Sequence, residues 1–189
     1  MRNFKTIVVA LVLALGVTAT AQDKKINTSK SKISWVGKKV TGEHSGTINF
    51  QDGVLNFKSG KLTGGSFTVD MSSITVTDLK AGEGKENLEG HLKAADFFGT
   101  DKFATAKLVF KTVKAAKAAN TYTVTADLTI KNVTKPVTFD IKVDKNSATT
   151  AFKVDRTKYG IEYKSSSIFS DLGDKAIYDD FDLTVNLQF

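Results

Sequence analysis

The sequence predicts an all-β protein that folds as a closed antiparallel barrel or as a sandwich. Apolar side chains occupy every second position from Tyr122 to Ile130 and again from Val137 to Val143, with polar residues between them. A period of two is typical of a strand that has one apolar and one polar face. Because the polar residues 131–136 separate the two runs, the pair is predicted to form an antiparallel hairpin. The chain has a single proline, and about eight or nine strands of this kind account for most of it.

The other strands are identified by the same alternation. They are predicted at 33–35, 47–50, 55–57, 66–71, 106–110, 152–154, 159–163 and 181–189. Glycine-rich and polar segments predict the connections, which are turns at 41–46, at Asp52–Gly53 and across 59–65, a turn or short helical segment at 114–119, and a loop at 164–174. Closure into a barrel would remove exposed strand edges. An eight-stranded barrel encloses a space that is filled by side chains or holds one small ligand.

One segment breaks the β pattern. Leu88, Leu92 and Ala95 lie at positions i, i+4 and i+7 between Gly84 and Phe98. This spacing places them on one face of a helix, so it predicts an amphipathic helix of about three turns.

Residues 1–21 are predicted to be a secretory signal peptide. Arg2 and Lys5 precede an apolar run at 7–17, and Ala19–Ala21 forms a small-x-small cleavage site. The apolar run is too short to span a bilayer comfortably. We therefore expect an exported protein, periplasmic or secreted, that does not span the membrane.

The rest of the chain, 22–189, is predicted to be one domain held together by its core. The absence of cysteine excludes disulfides, thiolate metal sites and a lipid-modified N-terminal cysteine. The formal net charge is +7, but the lysines alternate with threonine and acidic residues instead of forming a block. That pattern is typical of a solvated surface, so we expect no nucleic-acid partner.

The titratable residues form no recognisable catalytic motif. The two histidines, His44 in a predicted turn and His91 on the predicted helix, lack partners at the spacing of a zinc motif or a nucleophile elbow, unless the fold brings them together around a metal. Asp155 and Arg156 either take part in catalysis or, as is commoner for an arginine beside a strand end, fix a loop or pair with a buried carboxylate. We expect no enzymatic activity, no metal and no cofactor.

Phenylalanine dominates the aromatic residues, with thirteen Phe against four Tyr and one Trp. Rings without a polar group favour dry surroundings. They either fill a solid core or line an elongated apolar cavity, and the sequence leaves both arrangements open.

Three motifs, taken in order, resemble the YceI-like family of exported proteins. They are HLKAADFF at 91–98 with KFATA at 102–106, LTIKNVTKPV at 128–137, and VDRTKYGI at 154–161. The resemblance extends over nearly the whole chain that follows the predicted signal peptide. Two departures, Ala104 where the family usually has proline and Asn132 where it usually has glycine, lie in predicted turns and affect local geometry more than the fold.

The resemblance implies an extended eight-stranded antiparallel β-barrel, lipocalin-like in shape, with one or two short helices at its mouth. It also implies a hollow interior that binds a polyisoprenoid or a similar long-chain amphiphile, and it supplies no catalytic residues. The predicted helix would flank the mouth, and the alternating apolar positions would face the ligand. The residues expected to line the cavity are Trp35, Phe50, Phe57, Phe67, Leu88, Leu92, Phe98, Phe110, Leu128, Phe139, Ile141, Phe152, Tyr159 and Phe181.

The predicted function is that of an exported protein that sequesters or carries an isoprenoid or acyl lipid. An outer-membrane barrel is one alternative, because alternation does not tell which face lies inside, although aromatic girdles and long strands are scarce. A solid-cored envelope stress or interaction protein without a small ligand is another. A gap in the barrel would also leave an edge through which two copies could pair as a homodimer.

Overall fold

The computed structural model describes residues 20–189, which form nine strands, one α-helix and two short 3-10 helices. The predicted signal peptide therefore lies outside the described residues, except for Thr20 and Ala21. The strands are β1 (Ala21–Lys25), β2 (Lys32–Lys39), β3 (Gly42–Lys58), β4 (Lys61–Val76), β5 (Thr105–Ala115), β6 (Thr121–Ile130), β7 (Val133–Val143), β8 (Ser147–Asp155) and β9 (Ile177–Gln188). The α-helix is α1 (Lys85–Lys93), and the 3-10 helices span Arg156–Tyr159 and Gly173–Lys175.

Strands β2 to β9 form a closed antiparallel barrel. Each strand pairs with the next one along the chain, and β9 pairs with β2 to complete the ring. The short strand β1 continues the edge of β3 beyond β2, from Ala21 opposite Lys58 to Lys25 opposite Val54. The eight-stranded barrel implied by the resemblance is confirmed.

The apolar faces of the strands point into the barrel. In β6, Val124, Ala126, Leu128 and Ile130 are buried, whereas the threonines between them are partly exposed. The hairpin of β6 and β7 is confirmed, with ten residue pairs from Thr121 opposite Lys142 to Ile130 opposite Val133. This arrangement is the reverse of an outer-membrane barrel, whose apolar band faces outward.

The predicted turn at Asp52–Gly53 is wrong, because β3 runs through these residues without interruption. Its register against β4 shifts between Phe50 and Asp52, which marks a β-bulge. A Cβ at Gly53 would lie 2.5 Å from the Phe67 ring and 2.8 Å from Ile26, so glycine serves close packing here. The actual turn is at Ser59–Gly60, where φ angles of 50° and 74° give the type I′ geometry that suits a hairpin.

Three other connections are shorter than predicted. The β2–β3 turn consists of residues 40–41, so His44 lies in β3 and not in a turn. The β5–β6 turn occupies 116–120, because β5 continues to Ala115. Lys131 and Asn132, with φ angles of 49° and 61°, make up the β6–β7 turn. Asparagine tolerates this left-handed conformation, which explains why it can stand where the family usually has glycine.

The predicted strand at 159–163 is also wrong. Asp155 accepts hydrogen bonds from the Thr157 amide (3.0 Å) and hydroxyl (2.6 Å), which begins a 3-10 helix at Arg156. The helix ends at Tyr159, and the following Gly160, whose φ is 72°, caps it. The local side-chain bonds of Asp155 thus compete successfully with extension of β8.

Helix α1 is shorter than the sequence predicts, because Ala94 is extended and the chain turns repeatedly up to residue 103. Glu89 fixes the helix against β4 by accepting hydrogen bonds from the Thr75 hydroxyl (2.5 Å) and the Val76 amide (2.9 Å). Between residues 20 and 189, no helix has the length and hydrophobicity needed to cross a bilayer.

The barrel has two distinct ends, which we call the mouth end and the closed end. The mouth end carries the β2–β3 and β6–β7 turns, the segment 77–104 with α1, and the segment 156–176. The closed end carries the turns 59–60, 116–120 and 144–146 together with residues 26–31. At the closed end Ile26 is buried, and its amide donates to the Gly53 carbonyl (3.0 Å).

Candidate ligand cavity

The barrel interior is not filled throughout. A cavity of about 140 Å³ lies in the half nearer the mouth end, and it reaches the surface beside the exposed residues Tyr178 and Asp180. Apart from these two and Arg156, its wall is apolar. The lining residues are Ile33, Trp35, Gly37, Ile48, Val69, Met71, Ile74, Leu92, Phe97, Phe98, Ala106, Leu128, Ile130, Arg156, Ile177, Tyr178, Asp180, Phe181 and Leu183.

A second cavity of about 80 Å³, which we call the deeper cavity, lies nearer the closed end and is no more enclosed than the first. Its only polar lining residue is Thr150. The lining residues are Ile33, Phe50, Phe67, Val69, Leu108, Phe110, Leu128, Phe139, Ile141, Thr150, Phe152, Leu183, Val185 and Leu187.

Four side chains separate the two cavities, and we call them the partition. They are Ile33, Val69, Leu128 and Leu183, which border both spaces. All four are aliphatic and belong to strands β2, β4, β6 and β9. Aliphatic side chains change rotamer without losing a hydrogen bond, and Leu128 and Leu183 do so more freely than the β-branched Ile33 and Val69.

Five phenylalanines form a continuous series around the deeper cavity. Phe50, Phe67, Phe110 and Phe139 follow one another with ring centroids 5.8 to 6.0 Å apart. Phe139 stacks on Phe152 at 4.6 Å with an interplanar angle of 16°. Rings at these distances attract one another beyond their area burial, so they form a firm apolar wall.

Arg156 is the one buried cation in the wall of the larger cavity, with 2% of its surface exposed. Its guanidinium donates to the carbonyls of Ile161 (2.8 Å), Ile177 (3.0 Å) and Tyr178 (3.2 Å). The nearest carboxylate, that of Asp179, is 3.8 Å away. Burial lowers the pKa of Arg156, against the opposing attraction of Asp179 and Asp155. This geometry confirms the prediction that Arg156 fixes a loop, since it ties the segment after β8 to the start of β9.

Trp35 lines the same cavity and carries an unsatisfied polar atom. It is 8% exposed, and its indole Nε1 has no hydrogen-bond partner among residues 20–189. A Cβ at Gly46 would lie 2.5 Å from the Trp35 ring and 1.8 Å from the Thr75 carbonyl oxygen. Only glycine at position 46 therefore lets the indole pack against β3.

Helix α1 and the residues after it cover the mouth. Leu92, Phe97 and Phe98 reach the larger cavity from this cover. Lys131, in the β6–β7 turn, holds the cover in place by donating to the carbonyls of Phe97 (2.8 Å) and Ala95 (3.1 Å).

Eleven of the fourteen residues that the sequence nominated border one of the cavities. They are Trp35, Phe50, Phe67, Leu92, Phe98, Phe110, Leu128, Phe139, Ile141, Phe152 and Phe181. The other three lie elsewhere. Phe57 packs 6.2 Å from Phe189 at the closed end, Leu88 is half-buried on α1 away from the cavity, and Tyr159 is buried in the 3-10 helix. Burial raises the pKa of Tyr159 to about 12.

Several lining residues were missed by sequence reasoning. Ile48, Val69, Leu108, Ile130, Leu183 and Val185 fall on the apolar faces of predicted strands, so the alternation itself could have identified them. Ile74 and Arg156 follow no such signal, because one lies beyond the predicted end of its strand and the other begins a 3-10 helix.

The histidines lie apart from the cavity lining. His44 contacts Asp78 (2.8 Å), and His91 lies 3.6 Å from Asp96 with its ring edge-on to Tyr163 at 4.4 Å. Within residues 20–189 no cluster of three His, Asp or Glu side chains is close enough to hold a metal ion.

An up-and-down barrel with a partly hollow, apolar interior places the chain among lipocalin-like proteins. The model of the YceI-like domain matches residues 25–189, so the chain belongs to this family. The resemblance noted from the motifs is thereby confirmed.

Two similar curated proteins come from Staphylococcus aureus. A UPF0312 protein of strain USA300 is 33% identical over 111 residues, which cover 53% of this chain and 61% of the relative. A UPF0312 protein of the bovine strain RF122 is 38% identical over 89 residues, which cover 41% of this chain and 48% of the relative. The matches thus span about half to three fifths of these relatives' length.

Solved structures share the fold at low sequence identity. BcnA of Burkholderia cenocepacia has a TM-score of 0.69 at 23% identity, covering 86% of this chain and 98% of that one. A polyisoprenoid-binding domain from Saccharophagus degradans, implicated in plant cell wall breakdown, has a TM-score of 0.58 at 12% identity, covering 86% and 95%. The YceI protein of Campylobacter jejuni has a TM-score of 0.57 at 18% identity, covering 75% and 82%.

Proposed function

We propose that this protein is an exported carrier that holds a polyisoprenoid or a similar long-chain amphiphile inside its barrel. The observation that carries the proposal is the pair of adjacent apolar cavities, which the partition separates and of which the larger reaches the surface at the mouth end. The polyisoprenoid-binding domain among its structural neighbours supports the same ligand class. Export is supported by the N-terminal sequence, which has the features of a signal peptide.

The volumes of the two cavities limit the size of a ligand that fits without movement of the side chains. An apolar cavity of roughly 150 Å³ in another protein accommodates benzene, and the larger cavity here is of similar size, about 140 Å³. A long chain therefore fits only if the partition side chains rotate and the two cavities merge. Each methylene buried contributes about 0.8 kcal/mol, so a chain that occupies both cavities binds much more strongly than one confined to the first.

The polar head of the ligand is assigned to the mouth. The polar groups that border the larger cavity are Arg156, Tyr178 and Asp180, and two of these three are exposed. The deeper cavity offers only the Thr150 hydroxyl. A head that needs solvation thus remains near the surface while the chain extends inward.

The first experiment is organic extraction of the natively purified protein, followed by lipid mass spectrometry. We expect a long-chain isoprenoid or acyl lipid at a stoichiometry near one per barrel. Native mass spectrometry of the delipidated protein with added polyprenol checks rebinding. A barrel that is empty as purified and takes up neither polyprenol nor fatty acid contradicts the proposal.

A matched pair of variants tests where the chain lies. Val69→Phe fills the partition, whereas Val109→Phe makes the same change on the outer face of neighbouring β5, where Val109 is 44% exposed. We expect Val69→Phe to reduce polyprenol uptake by tenfold or more, since it obstructs passage to the deeper cavity. Val109→Phe should leave uptake unchanged. Equal uptake by both variants would place the ligand outside the barrel.

A further inference from the structure

The closed end of the barrel gathers a large share of the positive charge. Ten lysines lie in its three turns, in the strand residues next to them, in β1 and in the β1–β2 connection. They are Lys24, Lys25, Lys30, Lys32, Lys58, Lys61, Lys114, Lys117, Lys142 and Lys145. Four acidic side chains lie in the same segments or at the same level of the strands, namely Asp23, Asp52, Asp140 and Asp144.

Hydrogen bonds draw these separate segments together. The Lys24 ammonium donates to the Lys145 carbonyl (2.8 Å), which joins β1 to the β7–β8 turn. The Val143 amide donates to the Asn120 carbonyl (2.7 Å), which joins that turn to the β5–β6 turn. The ten lysines therefore share one end of the molecule although up to 121 residues separate them along the chain.

None of the ten lysines is neutralised by a carboxylate that the structure describes. The eight ion-pair contacts found within residues 20–189 all involve other basic side chains. Nine of the ten are exposed, and Lys24 is half-buried over the rings of Phe57 and Phe189. Apart from Lys24, these lysines make no contact with the described residues that would explain the density of unpaired charge, which favours a polyanionic partner.

The mouth end has no comparable excess of positive charge. Its segments 38–43, 77–104, 131–135 and 156–180 carry twelve basic and twelve acidic side chains. The attraction of an anionic surface therefore acts on one end of the barrel alone and orients the molecule.

We propose that the closed end docks on an anionic lipid bilayer through these lysines, with the mouth end directed away from that surface. Lysine ammonium groups near a bilayer that contains anionic lipids each add to the attraction within a Debye length. The large exposed hydrophobic side chains, Val40, Val109, Ile168, Phe169 and Tyr178, all lie outside the closed end. Docking is thus electrostatic and reversible, without insertion into the hydrocarbon.

The surface of the closed end favours a bilayer over a nucleic acid. The exposed aromatic residues Phe169 and Tyr178, on which nucleic-acid bases could stack, lie outside the closed end. Among residues 20–189, the closed end also has no helix that could enter the major groove of a duplex.

The test is sedimentation of the purified protein with vesicles of phosphatidylcholine alone or with roughly one-third phosphatidylglycerol, at about 50 mM and about 500 mM salt. We expect binding to the anionic vesicles at low salt only. The closed-end variant combines Lys58→Gln, Lys61→Gln, Lys117→Gln and Lys145→Gln. It should bind on the order of a hundredfold more weakly.

The matched control removes the same charge elsewhere. Lys80→Gln, Lys102→Gln, Lys135→Gln and Lys175→Gln alter four exposed lysines of the mouth end that make no ion pair within the described chain. We expect at most a threefold change. Equal weakening by both variants, or no binding to anionic vesicles while a duplex DNA or RNA binds at the same salt, would overturn the proposal. Because the measurement needs no cargo, its failure is distinguishable from failure of the lipid-carrier function.

Discussion

The mouth end and the closed end are built on the same eight strands, yet they differ in almost every other property. The mouth end is electrically balanced, borders the larger cavity and exposes Val40, Ile168, Phe169 and Tyr178. The closed end is strongly basic and is crossed by residues 26–31. The connections, and not the strands, therefore give each end its chemistry, as is general where loops stand on a rigid scaffold.

The largest difference expected between the ends concerns Arg156. Arg156→Met removes the donor that holds three carbonyls together at the mouth end, so we expect a loss of about 3–5 kcal/mol in the free energy of unfolding. Urea denaturation measures it. Arg156→Lys should recover less than half of the loss, because one ammonium cannot reach all three carbonyls. A cost below about 1 kcal/mol for Arg156→Met would show that the mouth segment is held by packing alone.

The cost of adding a side chain should differ between Gly46, in the strand near the mouth, and Gly60, in the turn at the closed end. An added Cβ at Gly46 would lie 1.8 Å from the Thr75 carbonyl oxygen, whereas at Gly60 it would meet nothing within 4 Å. Gly46→Ala is therefore expected to cost about 3 kcal/mol or more through overpacking. Gly60→Ala costs only about 1 kcal/mol, from its φ of 74°. Thermal unfolding of both variants checks the order, and equal costs would contradict it.

The stability of helix α1, which covers the mouth, should decrease at low pH. The hydrogen bonds from the Thr75 hydroxyl and the Val76 amide lower the pKa of Glu89 below its ordinary value of 4.5. A depressed carboxyl pKa stabilises the fold fully above the unfolded-state pKa, and this contribution is lost as pH falls through the lower folded-state pKa. Because the Gln carbonyl oxygen can still accept both hydrogen bonds, Glu89→Gln should cost about 1 kcal/mol at pH 7, the charge-assisted part of these bonds.

The pH profile separates this contribution from a general packing effect. The difference in unfolding free energy between the wild type and Glu89→Gln should shrink as pH falls below about 4.5. Hydrogen exchange of α1 provides a local readout. A difference that stays constant from pH 7 to pH 3 would mean that the charge of Glu89 does not anchor the helix.

The smallest effect is expected at the closed end. The fourfold variant of Lys58, Lys61, Lys117 and Lys145 should change the free energy of unfolding by no more than about 0.5 kcal/mol per residue, since exposed unpaired lysines contribute little to stability. Urea denaturation at low salt is the measurement. A large destabilisation would assign these lysines a structural role and would weaken the contrast between the ends.

Much of the wall of the cavity could be predicted from the sequence. Leu128, Phe139 and Ile141 belong to runs with a clear period of two, and their inward placement follows once the barrel closes. Phe57 shares that pattern but lies at the closed end, because alternation assigns a face and not a height along the barrel. Arg156 could not be nominated as a lining residue, since its place in the wall depends on carbonyls of β9 and of the loop before it.

The sequence by itself determined the β class, the β6–β7 hairpin, the apolar faces and the YceI-like motifs, because each is a property of neighbouring residues. Only the tertiary structure decided that Asp52–Gly53 is a bulge within β3, that four aliphatic side chains divide the interior, and that ten lysines meet at one end. These features depend on register and closure, which bring together residues far apart in the chain. Local periodicity carries no information about such distances.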